Sequence, residues 1–76
     1  MSLFLPQVKA SEVARVARQL GFESDRQKGS HAIYYRLSDK TRVVIPMHAG
    51  RDIKPKTLHV IINDLQITPE QFKKPL

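Results

Sequence analysis

Cysteine is absent from this 76-residue chain, which rules out a disulfide framework and any thiolate metal site. Long apolar runs are absent too, for nothing nears the roughly 18 consecutive apolar residues that a membrane-crossing helix requires. The opening "MSLFLP" is apolar but has no basic leader and meets Pro6 at once, so it is not expected to act as a signal peptide. No internal repeat, low-complexity tract or linker interrupts the chain. No glycine-rich phosphate loop of the nucleotide-binding kinds is present either. The histidines stand without cysteine and without acidic clusters at ligand spacing, so neither a metal site nor a cofactor is expected. The expectation is one soluble, cytoplasmic domain spanning residues 1–76, with no membrane partner.

Acidic side chains are scarce. Seven Asp and Glu face thirteen Lys and Arg, a formal charge of +6, and the isoelectric point is near 10.1. With 41% hydrophobic and 26% charged residues, the chain has the makeup of an ordinary folded domain rather than a disordered one. A cationic surplus on so small a body makes a positive field, the usual footprint of nucleic-acid affinity. Solubility alone is the blander explanation.

Periodicity supplies the elements. Val13, Val16, Ala17 and Leu20 recur at i, i+3, i+4 and i+7, the apolar stripe of an amphipathic helix. Arg15, Arg18 and Gln19 fill its other side, and Gly21 follows where a left-handed cap commonly closes a helix; the helix is expected over about Ala10 to Leu20. "FESDRQK" reads as an exposed edge strand after Phe22. "SHAIYYRL" and "TRVVIP", separated by the turn cluster "SDK", read as an antiparallel hairpin. "MHAGRDIKP" has loop chemistry. Leu58, Ile61, Ile62 and Leu65 restore helical spacing, and Pro55 suits the first turn. Thr68 and Gln71 stand at the capping-box offset of a short final helical turn.

The order is α-β-β-β-α, an α+β fold. A three-stranded antiparallel sheet is expected with two helices on one face and the other face free for a partner.

The stretch "QKGSHAIYY" holds the chemistry. RNA can be cut by its own 2′-hydroxyl once a base takes the proton, and histidine exchanges protons near neutrality. His31 suits that task. Gly29 would allow close approach of a phosphate, Ser30 would either donate a hydrogen bond to phosphate or orient the imidazole, and Lys28 would bring a cation to the developing charge. The structural alternative is open at this point. Strict alternation places His31, Ile33, Tyr35 and Leu37 on the more apolar side of the strand, so His31 could be a satisfied core histidine. A bulge or bend beside Gly29 could re-aim it.

Other basic residues cluster in sequence near the same loops. His48, Arg51, Lys54 and Lys56 follow the third strand, and His48 reads either as a phosphate contact, as a second acid–base group or as a loop histidine fixing the chain near Pro46. His59 reads as a solvent-facing helix residue. Tyr34 and Tyr35 point to opposite faces, so at most one of them stacks on an unpaired base from the sheet surface.

"RQKGSHAIYY", "VVIPMHAGRDIKPKTLHVII" and "DLQITPEQF" together resemble the HicA-type toxins of bacterial toxin–antitoxin systems over nearly the whole chain. The most specific parts are Gly29-Ser30-His31, Pro46-x-His48 and "KPKTL". Many members carry a second histidine where this chain has Ala32. The resemblance implies a fold similar to the double-stranded RNA-binding domain and an mRNA-cleaving endoribonuclease activity whose catalytic histidine falls on His31. It also implies a cognate HicB-type antitoxin that masks the active surface. On this expectation Lys28, Gly29, Ser30, His48, Arg51, Lys54 and Lys56 contact single-stranded RNA or mRNA. The toxin is then a monomer when free and a hetero-oligomer with its antitoxin. The competing function is an RNA-binding module that engages an antitoxin but has little or no catalytic power. A purely structural interaction protein is a third reading, and it would show no salt-dependent RNA affinity.

Overall fold

The first helical stripe folds as expected and also stops as expected. In the computed structural model, which describes residues 7–48 and 50–73, α1 spans Ala10–Gln19 and buries Val13, Val16 and Ala17. Gly21 takes φ +94. Its N–H donates to the Arg18 carbonyl at 3.0 Å while that of Phe22 donates to the Ala17 carbonyl at 3.0 Å, the paired bonds of a Schellman cap. Phe22 is thereby turned inward and buried.

Three strands follow: β1 over Glu23–Lys28, β2 over His31–Arg36 and β3 over Thr41–Pro46. They pair antiparallel in the order β1-β2-β3. All six residues of β1 are exposed, as befits an edge strand. Its register slips between Ser24 and Arg26, so the bulge falls at Asp25 rather than beside Gly29. A bulge with charged flanks is one of the ordinary ways an edge strand resists pairing with other chains.

The second helix, α2, spans Pro55–Asp64 and buries Leu58, Ile61 and Ile62. It ends as α1 does, except that the residue at positive φ is Gln66 (φ +64) instead of a glycine. The short α3, Pro69–Lys73, buries Phe72. It opens with a reciprocal capping box. The Thr68 N–H donates to Gln71 Oε1 at 2.8 Å and the Gln71 N–H donates to Thr68 Oγ1 at 3.1 Å.

Both long helices cover one side of the sheet, where Ala32, Tyr34, Val43 and Ile45 join Val13, Ala17, Leu58 and Ile61 in one core. This is the α-β-β-β-α, one-sided arrangement expected from the sequence. The open side carries Ile33 and, 45% exposed, Val44. Among the described residues no helix is long and apolar enough to cross a membrane.

Candidate functional site

Antiparallel connectivity brings one end of the molecule to prominence. β1 runs towards the β1–β2 turn, β2 leaves from it and β3 returns to it. The start of α2 follows directly from β3. The N-terminal end of α1 is fastened to the same region, since Lys9 pairs with Asp52 as an isolated bridge and Lys9 Nζ reaches Asp52 Oδ1 at 3.0 Å. The Ile53 N–H donates to the Val8 carbonyl at 2.9 Å. Lys28, Gly29, Ser30, His31, His48, Arg51, Lys54 and Lys56, spread over 29 positions of sequence, therefore lie on segments that meet at this one end.

Gly29 and Ser30 form the whole connection between Lys28 and His31, which are cross-strand partners. Gly29 has φ +60, and Ser30 is not among the residues at positive φ, the pattern of a type II′ turn with glycine first. A side chain at Gly29 would meet no atom within 4 Å. Glycine is required there by backbone conformation and not by crowding.

His31 begins β2 and is exposed. The coreward alternative for it fails because Ala32 (3% exposed) and Tyr34 (6%) are the strand's core residues, and alternation then puts His31, Ile33 and Tyr35 on the open face. Directly across the sheet from them stand Lys28, Arg26 and Glu23 on β1, and Pro46, Val44 and Arg42 on β3. Tyr35 is the tyrosine on the open face, with the Arg42 guanidinium 5.3 Å from its ring centre.

After Pro46 the chain keeps touching the turn. The Met47 N–H donates to the Ser30 carbonyl at 2.6 Å. Next comes His48, exposed, in a groove of about 300 Å³ that it lines with Pro46, Arg51, Lys54 and Thr57. His59 lies exposed on α2, as the sequence suggests. Among the described residues no group of His, Cys, Asp and Glu is arranged to hold a metal ion.

The electrostatics of the α2 start run against local stability. Lys54 is the N-cap, with the extended backbone of a capping position (φ −62, ψ 144), yet its side chain makes no capping bond, and the first turn has no acidic residue. Lys54 and, within that turn, Lys56 put positive charge at the positive end of the helix dipole, where anions are favoured. Helix starts with this charge pattern are well suited to receive a phosphate.

The opposite end is stapled. Arg36 Nε and Nη2 donate to the two carboxylate oxygens of Asp39 at 3.0 and 2.8 Å. Arg36 also reaches the Leu20 carbonyl at 3.0 Å and Gln66 Oε1 at 3.1 Å, and stacks 4.5 Å from the centre of the Phe22 ring. The hydrogen bonds from Arg36 hold the Asp39 carboxyl well below the usual carboxylate range.

Sequence reasoning passed over Arg26 and Arg42. Once His31 is known to face outwards, strand pairing places both on its side of the sheet. The signal was present in the alternation, but the choice of outer face was not.

Comparison with curated proteins finds no match to the chain. The family model for the HicA toxin of bacterial toxin–antitoxin systems matches residues 10–67, from the first residue of α1 to just beyond α2. The match takes in the Gly29–Ser30 turn, the His48 loop and the α2 start described above. The chain belongs to the HicA toxin family.

Proposed function

We propose that this toxin is an endoribonuclease that cuts single-stranded mRNA without a resident metal, with His31 exchanging the reacting protons. The observation that carries the reading is the outward-facing His31 at the sheet end where Lys28, Arg51, Lys54 and Lys56 gather. In this chemistry the RNA's 2′-hydroxyl attacks its own phosphorus, so the protein has only to move protons and stabilise charge. A positioned imidazole contributes ~10²–10⁴-fold to such a step. Phosphates would meet cations from the β1–β2 turn and from the α2 start, where their charge also relieves the unfavourable lysines. Ser30 and the Gly29 backbone would hold the phosphate near His31, and His48 would lie alongside.

The test is cleavage of a long single-stranded RNA in EDTA by wild type and His31→Ala, both shown to be folded by circular dichroism. Cleavage by wild type alone is expected; equal cleavage by both would sink the assignment. With three to five phosphate contacts, log affinity against log salt should slope about −2 to −3.5.

A second reading keeps RNA binding and removes catalysis. It draws on the fact that, among the described residues, no side-chain hydrogen bond orients the His31 imidazole. RNA binding by wild type with no cleavage would favour it.

A toxin of this family is paired with an antitoxin. The partner proposed here is an acidic HicB-type protein that covers His31 and offers carboxylates to Lys28, Arg51 and Lys54, turning a free monomer into a hetero-oligomer. Cleavage retained in a saturated complex would refute that masking.

A further inference from the structure

We infer that His48 is the second proton-transfer group of the site, acting as general acid where His31 acts as base. This inference rests on the ribonuclease reading above and completes its chemistry.

The placement comes from the β2–β3 register. His31 pairs with Pro46, and the bond from the Met47 N–H to the Ser30 carbonyl carries the same register one step past the strand. His48 is the next residue, two positions beyond the strand partner of His31. His48 is exposed and lines the groove that also holds Pro46, Arg51 and Lys54. It thus stands between the strand partner of His31 and the cations at the start of α2. His59, the third histidine, is outside that groove's lining.

The reaction supplies the need for two such groups. The 2′-O–H bond breaks and its proton passes to the His31 imidazole. The O2′–P bond forms as the P–O5′ bond breaks. The departing 5′-oxygen takes a proton from the His48 imidazolium. A 2′,3′-cyclic phosphate and a free 5′-hydroxyl result, with no change in oxidation state. In an in-line displacement the attacking and leaving oxygens lie on opposite sides of phosphorus. A single imidazole within ~3 Å hydrogen-bond reach of one is out of reach of the other. Two imidazoles several ångström apart serve both.

The discriminating experiment changes the leaving group. A short oligoribonucleotide is cut by wild type to map one scissile linkage, then remade with sulfur replacing the bridging 5′-oxygen at that linkage. A thiolate leaves without being protonated, so a general acid is dispensable for it. His48→Ala and His48→Gln should lose ~10²–10⁴-fold on the ordinary linkage and less than ~10-fold on the sulfur linkage. His31→Ala should lose activity on both linkages. Equal losses on both linkages for the His48 variants, or rescue by sulfur of His31→Ala instead, would overturn the assignment while leaving the ribonuclease reading intact. A wild-type protein that cuts neither linkage would overturn both.

Discussion

Replacing Lys54 by serine should make the protein more stable and a poorer RNA binder at the same time. The backbone of Lys54 already has capping geometry, and its carbonyl accepts the first helical bond, from the Leu58 N–H at 2.9 Å. A serine hydroxyl there can accept from the free N–H groups of the first turn, a gain of about 1 kcal/mol. Removing a cation from the positive end of the helix dipole adds a further ~0.3–1 kcal/mol. Together these amount to about 1–2 kcal/mol. For a domain of this size each 1 kcal/mol moves the midpoint by roughly 4–8 °C, so Tm should rise by roughly 5–15 °C. The same change removes a cation proposed to meet phosphate. The salt slope for single-stranded RNA should become shallower by about 0.7, the share of one contact. Thermal unfolding followed by circular dichroism and RNA binding titrated at several salt concentrations measure the two effects. A Tm that is unchanged or lower would refute the capping argument. An unchanged slope with a raised Tm would show that Lys54 is only an unfavourable cap and has no part in binding.

Three further outcomes follow from the packing. Gly29→Ala should cost about 1–3 kcal/mol, because φ +60 strains a side-chain-bearing residue although the space is open; urea unfolding that shows under 0.5 kcal/mol would contradict the turn assignment. Leu58→Ala should cost about 2–5 kcal/mol, since Leu58 is fully buried. A domain of this length has only about 4–11 kcal/mol in all, so the midpoint should fall sharply or folding should fail. Arg36→Ala should separate the α1 exit from the end of β2. Its bond to the Leu20 carbonyl and its stacking on Phe22 together point to a loss of about 1.5–2.5 kcal/mol. Because Asp39 is held below its ordinary range, that pair contributes above the unfolded carboxylate value near 3.9 and fades as pH falls towards the lower folded one. Wild type should therefore lose more stability than Arg36→Ala on acidification below about pH 4, and equal losses would remove Asp39 from the account.

Much was determined by the sequence alone. Val13, Val16 and Ala17, like Leu58, Ile61 and Leu65, repeat at helical spacing because one face of each helix must be apolar to bury. Gly21 and the Thr68–Gln71 pair mark helix ends because their backbone and side chains satisfy terminal groups that would otherwise be left unpaired. Gly29 and Ser30 marked a special position before His31, and the turn they form is the two-residue hairpin such residues favour. The family resemblance was carried by contiguous motifs, so it too was legible without a structure.

Tertiary structure alone chose the outer face of β2. Both faces of "HAIYYRL" hold apolar residues, and the odd-numbered set is the larger, so alternation could not decide. Pairing with β1 and β3 beneath two close-packed helices selects Ala32 and Tyr34 for the core, and that choice turns His31 outwards. The Arg36 staple was equally invisible, since it joins the end of α1, the β2–β3 turn and the end of α2 through contacts up to 30 positions apart. The gathering of Lys28 and His31 with His48 and Lys54 likewise depends on strand direction. Local chemistry fixes which residues can act, but only long-range pairing brings them to one end of the sheet.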